Sequence, residues 1–141
     1  YYRMEYKNGY LQRVEQRYSY NESRVRVSEC TWRDGNLVEA KCTDYNEDGT
    51  DITTVKYSYS QTATPINIDL FYIDGGYIDV LEPLDLLGFY GRQSAKLPNK
   101  ADIIYSGESE SESDDFGVYT LNDDGTVARI DCGSVSYELI Y

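Results

Sequence analysis

The sequence predicts an all-β protein, an antiparallel meander of repeated hairpins that forms a curved sheet or open barrel. Three observations carry this. A short turn template recurs four times along the 141 residues. Between the turns, apolar and polar side chains alternate over stretches rich in Tyr, Val, Ile and Thr. Helical periodicity is nearly absent. Period-two alternation marks a sheet with one buried and one wet face, and short turns between such segments make neighbouring strands antiparallel.

The elements follow in order. Tyr6-Lys-Asn-Gly9-Tyr-Leu11-Gln-Arg-Val14 states the template, and Trp32-Arg-Asp-Gly35-Asn-Leu37-Val-Glu-Ala40 repeats it. Asn-Gly and Asp-Gly tolerate the positive φ angles of tight hairpin turns, because Gly lacks a Cβ and Asn or Asp can bond its own backbone. The aromatic before the turn and the Leu after it form a cross-strand pair. Between these hairpins Arg24-Val-Arg-Val27 alternates, with the arginines outward. Tyr45-Asn-Glu-Asp-Gly49 begins a looser third copy, and Val55, Tyr57 and Tyr59 then alternate with Lys56, Ser58 and Ser60. Glu82-Pro-Leu-Asp-Leu-Leu-Gly88 predicts one short helix near 82–88, with Pro83 in the first turn and Gly88 as its stop. The stretch from Gly88 to Asn99 lacks alternation and reads as an insertion capping one end of the curved sheet. The run Glu108-Ser-Glu-Ser-Glu-Ser-Asp-Asp115 repels itself and reads as a solvated, mobile loop. Leu121-Asn-Asp-Asp-Gly125-Thr-Val127 makes the fourth hairpin, and Val135, Tyr137, Leu139 and Tyr141 share one inward face of a last strand. The expectation is a single domain over 1–141 with about ten strands.

Composition limits the function. Histidine is absent, which removes Ser-His-Asp and Cys-His nucleophile systems and His-ligated zinc. A net charge of −12 opposes a nucleic-acid groove and docking on anionic membranes. The charge is split: residues 1–41 hold eight basic and six acidic side chains, residues 42–141 five and nineteen. No apolar run approaches the roughly 20 residues of a membrane helix. No signal peptide is present, and a start at Tyr1 reads as upstream processing or trimming, with upstream repeats missing.

Order adds specificity. Trp32-x-Asp-Gly-Asn-Leu37 is followed by Tyr57-Ser-Tyr59, Pro65-Ile-Asn-Ile-Asp69, Leu86-Leu-Gly88, Ser94-Ala-Lys-Leu-Pro98 and a closing Tyr119-x-Leu-Asn-Asp-Asp-Gly-x-Val127 hairpin. The hairpins resemble YD-type repeats. The ordered run over about residues 30–141 resembles a family of domains of unknown function with a porin-like fold, from secreted proteins and lipoproteins of gut Bacteroidetes. The resemblance implies an exported, curved all-β domain in the periplasm or on the outer surface, lipid-anchored through a missing N-terminus. It implies no catalytic or cofactor-binding residues. Lys56, Glu138, Arg24 and Arg26 lie opposite the apolar faces, where a membrane barrel needs an apolar band, so the domain is not membrane-embedded.

The chemistry-bearing candidates are few. Asp44, Asn46 and Asp48, followed by Gly49, match the head of an EF-hand loop, whose alternate oxygen side chains converge on calcium. The twelfth position is Val55 where a Glu ligand belongs, and the turn of the third hairpin already explains the pattern. Exposed Tyr or Trp could stack sugars, with Tyr72, Tyr77, Tyr90 and Trp32 as candidates set against plain sheet packing. A carboxylate-based glycoside hydrolase is a third class, but no motif singles out two of the 25 acidic residues. Pairing Trp32 with Leu37 sets Cys30 opposite Glu39 and Cys42 opposite Val27, too offset for a disulfide without a bulge. All three cysteines therefore read as small buried apolar residues. The expected function is a non-catalytic binding or structural module of an exported bacterial protein, binding an extracellular ligand or protein, with a glycan as the alternative ligand.

Overall fold

The computed structural model describes residues 1–21, 23–60, 62–64, 91–108, 111–132 and 134–140. Its elements are β1 (Tyr2–Lys7), β2 (Tyr10–Arg17), β3 (Arg24–Arg33), β4 (Asn36–Asn46), β5 (Gly49–Ser58), β6 (Lys100–Tyr105), β7 (Ser111–Asp115), β8 (Val118–Leu121), β9 (Val127–Cys132) and β10 (Val135–Glu138). The first seven form one sheet in chain order, and β10-β9-β8 form a second. Every neighbouring pair is antiparallel. Among the described residues the large sheet is an open meander with β1 and β7 at its edges, not a closed barrel. The expected helix near 82–88 lies outside the described residues.

The turn chemistry acts as the template requires. Asn8 and Gly9 take φ of 55° and 85°, Asp34 and Gly35 take 51° and 78°, the left-handed pair that matches the twist of flanking strands. Register then builds the core. Cys30 opposes Ala40, Ala40 opposes Val55, and Val55 opposes Ile103, one row across four strands. With Leu37, Tyr57 and Ala101 this row is buried, and Trp32, Tyr59, Tyr105 and Phe116 pack against it. Burying each Val, Leu or Ile contributes about 1.5–3 kcal/mol. Ala63, Leu97, Tyr119 and Val127 form a second cluster under the small sheet, and Phe116 packs against both clusters.

Three expectations are corrected. A bulge between Thr31 and Trp32 shifts the β3–β4 register by one, so Cys30 faces Ala40 and Cys42 faces Ser28. Both cysteines therefore reach the buried face as thiols rather than disulfide partners. The acidic run is not wholly a loop. Ser111–Asp115 adds to β6 as an edge strand with every side chain exposed, because backbone pairing needs no buried side chain and an edge leaves the charges in water. On β10, Val135 and Tyr137 are exposed rather than inward, as are the other side chains of this edge strand, while Leu139 reaches the second cluster.

The segment 91–99 straps one end of the large sheet. Arg92 N–H donates to the Gly9 carbonyl at 2.8 Å and Ala95 N–H to the Gly35 carbonyl at 2.8 Å. Lys96 N–H bonds Asn36 Oδ1, Leu37 N–H bonds Ser94 Oγ, and Asn99 N–H bonds the Ser58 carbonyl. It thus ties the β1–β2 turn, the β3–β4 turn and the end of β5. The opposite end, with the β2–β3 and β4–β5 turns, has no such cover among the described residues.

Candidate functional site

That uncovered end holds the candidate site. On β2 the sequence Arg13-Val-Glu15-Gln-Arg17 alternates, so the two arginines and Glu15 share the face opposite the core row. Register brings Arg3 of β1 and Val27 of β3 to either side of Glu15. An irregularity between Gln16 and Arg17 sets Arg17 opposite Arg24, delivering a third arginine to the same carboxylate.

Glu15 is 1% exposed. A carboxylate so buried costs several kcal/mol unless it is paired and hydrogen-bonded. Arg13 Nη1 donates to Oε2 at 2.9 Å, Arg17 Nη2 and Nε to Oε1 at 2.6 and 3.0 Å, and Arg24 Nε to Oε1 at 2.6 Å. Glu5 approaches Arg13 at 3.6 Å. Burial alone would raise the Glu15 pKa. The bonds from Arg24 and Arg17, with the charge and bond of Arg13, outweigh it and hold the carboxyl at about 2. Glu15 is ionised at neutral pH and has no proton to give. Its work is to gather arginines.

Tyrosines surround this cluster. The Tyr45 hydroxyl lies within hydrogen-bonding reach of Arg24. In the β2–β3 turn, Tyr18 and Tyr20 stack with ring centroids 5.3 Å apart and planes 33° apart, 48% and 79% exposed. The turn is shaped by Asn21 Oδ1, which accepts from Ser23 N–H and Ser23 Oγ, and by Tyr18 N–H on the Ser23 carbonyl. Tyr1 joins the same end: its backbone nitrogen donates to the Arg17 carbonyl, and Arg17 N–H returns to the Tyr1 carbonyl, each at 2.9 Å. Tyr1, Tyr2 and Tyr45 are exposed as well. Rings that present flat faces beside fixed cations can stack on a ligand and hydrogen-bond it together.

The other sequence candidates fare differently. Asp44 ion-pairs with Arg26, and Asn46 donates to Asp51 Oδ2 at 2.6 Å across the β4–β5 hairpin, while Asp48 sits in the turn. Among the described residues no group of three or more Cys, Asp or Glu is arranged to hold a metal. Trp32 lies at the strapped end, 4.7 Å from Tyr10 with Nε1–H on the Leu11 carbonyl at 2.7 Å, in the packing role beside its turn. Tyr72, Tyr77 and Tyr90 lie outside the described residues. The Glu15 cluster matches no short motif in the sequence. Its signal in the sequence is Arg13-x-Glu15-x-Arg17, like-facing on one strand, with Arg24 at the start of the next.

No family model matches the chain, and no curated protein matches it. Two solved structures do. A porin-like protein from Bacteroides vulgatus ATCC 8482 aligns with a TM-score of 0.61 at 16% identity, over 92% of this chain and 57% of that one. A porin-like protein from Bacteroides uniformis ATCC 8492 gives 0.56 at 15% identity, over 98% of this chain and 56% of that one. The likeness is one of fold and agrees at that level with the porin-like resemblance in the sequence. The chain spans little more than half the length of either protein.

Proposed function

We propose that this β-domain is a non-catalytic binding module of an exported protein, held in the periplasm or at the outer surface, and that it uses no cofactor. Its ligand-binding surface is the uncovered end of the large sheet. The observation that carries the reading is the gathering there of Tyr1, Tyr18, Tyr20 and Tyr45, all exposed, beside an arginine cluster fixed by Glu15. Exposed aromatic surface in one place marks an interaction site, whereas scattered tyrosines would not. The face of this sheet also carries Glu5, Arg13, Glu29 and Lys41 in one cross-strand row, which suits water rather than lipid. The fold neighbours from Bacteroides support an envelope location.

The stacked Tyr18 and Tyr20 favour a glycan as ligand, because sugar rings bind on flat aromatic faces. A thermal-shift screen with neutral and acidic polysaccharides tests this. A ligand specific to the folded state at a hundredfold excess over Kd adds about 2.7 kcal/mol of stability. At least one polysaccharide is expected to raise Tm, and a Tyr18→Ala, Tyr20→Ala double variant is expected to lose that rise while melting as the parent does without ligand. A screen flat across all polymers overturns the glycan reading.

A further inference from the structure

Resting on that reading, we infer that the glycan is anionic, a polysaccharide bearing carboxylate or sulfate groups that are held by Arg3 and Arg24 beside the exposed tyrosines. The inference comes from an imbalance of charge. Among the described residues of this face, Arg3, Arg13, Arg17, Arg24 and Lys41 stand with three carboxylates, Glu5, Glu29 and the buried Glu15. This basic excess sits in a chain of net charge −12. A buried ion pair adds little to stability over an apolar pair of similar volume, and surplus arginines repel one another. A patch built for stability alone would hold matched charges.

The geometry fits recognition. Glu15 engages Arg24 through Nε, and the Arg24 side chain is still 46% exposed. Arg3 is exposed on the edge strand directly opposite Glu15. Tyr45 adjoins Arg24, so a stacking ring and a guanidinium are presented together. Glu15 holds Arg24 in place before a ligand arrives, which lowers the ordering cost of binding. Guanidinium is matched in shape to carboxylate and sulfate, each offering paired acceptor oxygens. The acidic side chains around it, exposed Glu47 and Asp48 of the neighbouring β4–β5 turn among them, repel a polyanion and restrict it to the arginine face.

The test measures affinity of the domain, by calorimetry or interferometry, for polygalacturonate, dextran sulfate, fully methyl-esterified polygalacturonate, dextran and polyglutamate. Polygalacturonate, dextran sulfate or both are expected to bind, which also tells the carboxylate from the sulfate source. The ester and dextran are expected at least about tenfold weaker, from the loss of one charged hydrogen bond, and polyglutamate likewise, because it keeps its carboxylates but offers no ring to stack on the tyrosines. Arg3→Gln, at an exposed position that holds no core contact, and Arg24→Gln are each expected to cost about tenfold for the acidic polymer. Equal binding of the ester or of dextran overturns the anionic inference and leaves the glycan reading standing. Equal binding of polyglutamate shows that charge without a sugar suffices and overturns the sugar class. Absence of binding by every polymer overturns the inference and the glycan reading together.

Discussion

Glu15 couples the site to the stability of the fold. Its carboxyl titrates near 2 in the folded protein against a usual 4.5, and the side chain is buried, so the difference converts to about 3 kcal/mol. A depressed folded pKa gives stability that is complete above pH 4.5 and is lost as pH falls towards 2. Glu15→Gln is expected to cost about 3–5 kcal/mol at pH 7, because three guanidiniums lose their common partner. Urea unfolding across pH 2–7 checks both statements. The parent should weaken through pH 4.5 to 2, and its difference from the variant should shrink over the same interval. A constant difference across that range would show that the carboxylate contributes no charge-dependent stability. Of these arginines, Arg24 was legible as an outward residue of an alternating strand. The burial of the one acid between them was not, because it depends on bringing β2 and β3 together with an irregularity at Gln16 and Arg17.

Among the elements, the strap over 91–99 has the narrowest tolerance. Gly91 takes φ of 76°, and a Cβ there would stand 2.3 Å from the Gly9 carbonyl oxygen. Both its conformation and its space exclude a side chain. Gly91→Ala is therefore expected to destabilise by about 1–3 kcal/mol. Hydrogen exchange locates the damage: the Arg92 and Ala95 amides, bonded to the Gly9 and Gly35 carbonyls, should lose protection, and the β4–β5 ladder should keep it. The hairpins that the strap crosses were readable in advance, since Asn8-Gly9 and Asp34-Gly35 can adopt the required φ angles at little cost. Their bulges were not. The shift between Thr31 and Trp32 turns on a single added residue, and no residue type announces it. The strand at Ser111–Asp115 was hidden for a related reason. Its stability lies in backbone bonds to β6, while its side chains carry the composition of a loop.

At the scale of the whole molecule, Tyr119 and Phe116 are among the described residues that join the two sheets. Tyr119 on β8 donates its hydroxyl to the Pro98 carbonyl of the strap, within the cluster that also holds Leu97 and Val127. Tyr119→Phe leaves that carbonyl unpaired and is expected to cost about 1–2 kcal/mol by chemical denaturation. Amides of β8 and β9 should then exchange faster than those of β3 and β4, and uniform loosening of both sheets would contradict this division. The fold class was legible from turn spacing and alternation because each is a local property of the chain. The site was less so, because it joins residues from β1 to β4 that only the register brings together. The two borders of the large sheet have a further consequence. β7 ends it in Glu112, Asp114 and Asp115, which discourage another strand from adding there. β1 ends it in Tyr2, Met4 and Tyr6 alternating with Arg3, Glu5 and Lys7, a sequence with ordinary strand chemistry. The sheet thus has direction, a dead end on one side and a growing end on the other. Among the described strands, β1 is the border whose chemistry accepts a further strand, and such a strand would lie next to Arg3 and the arginine face.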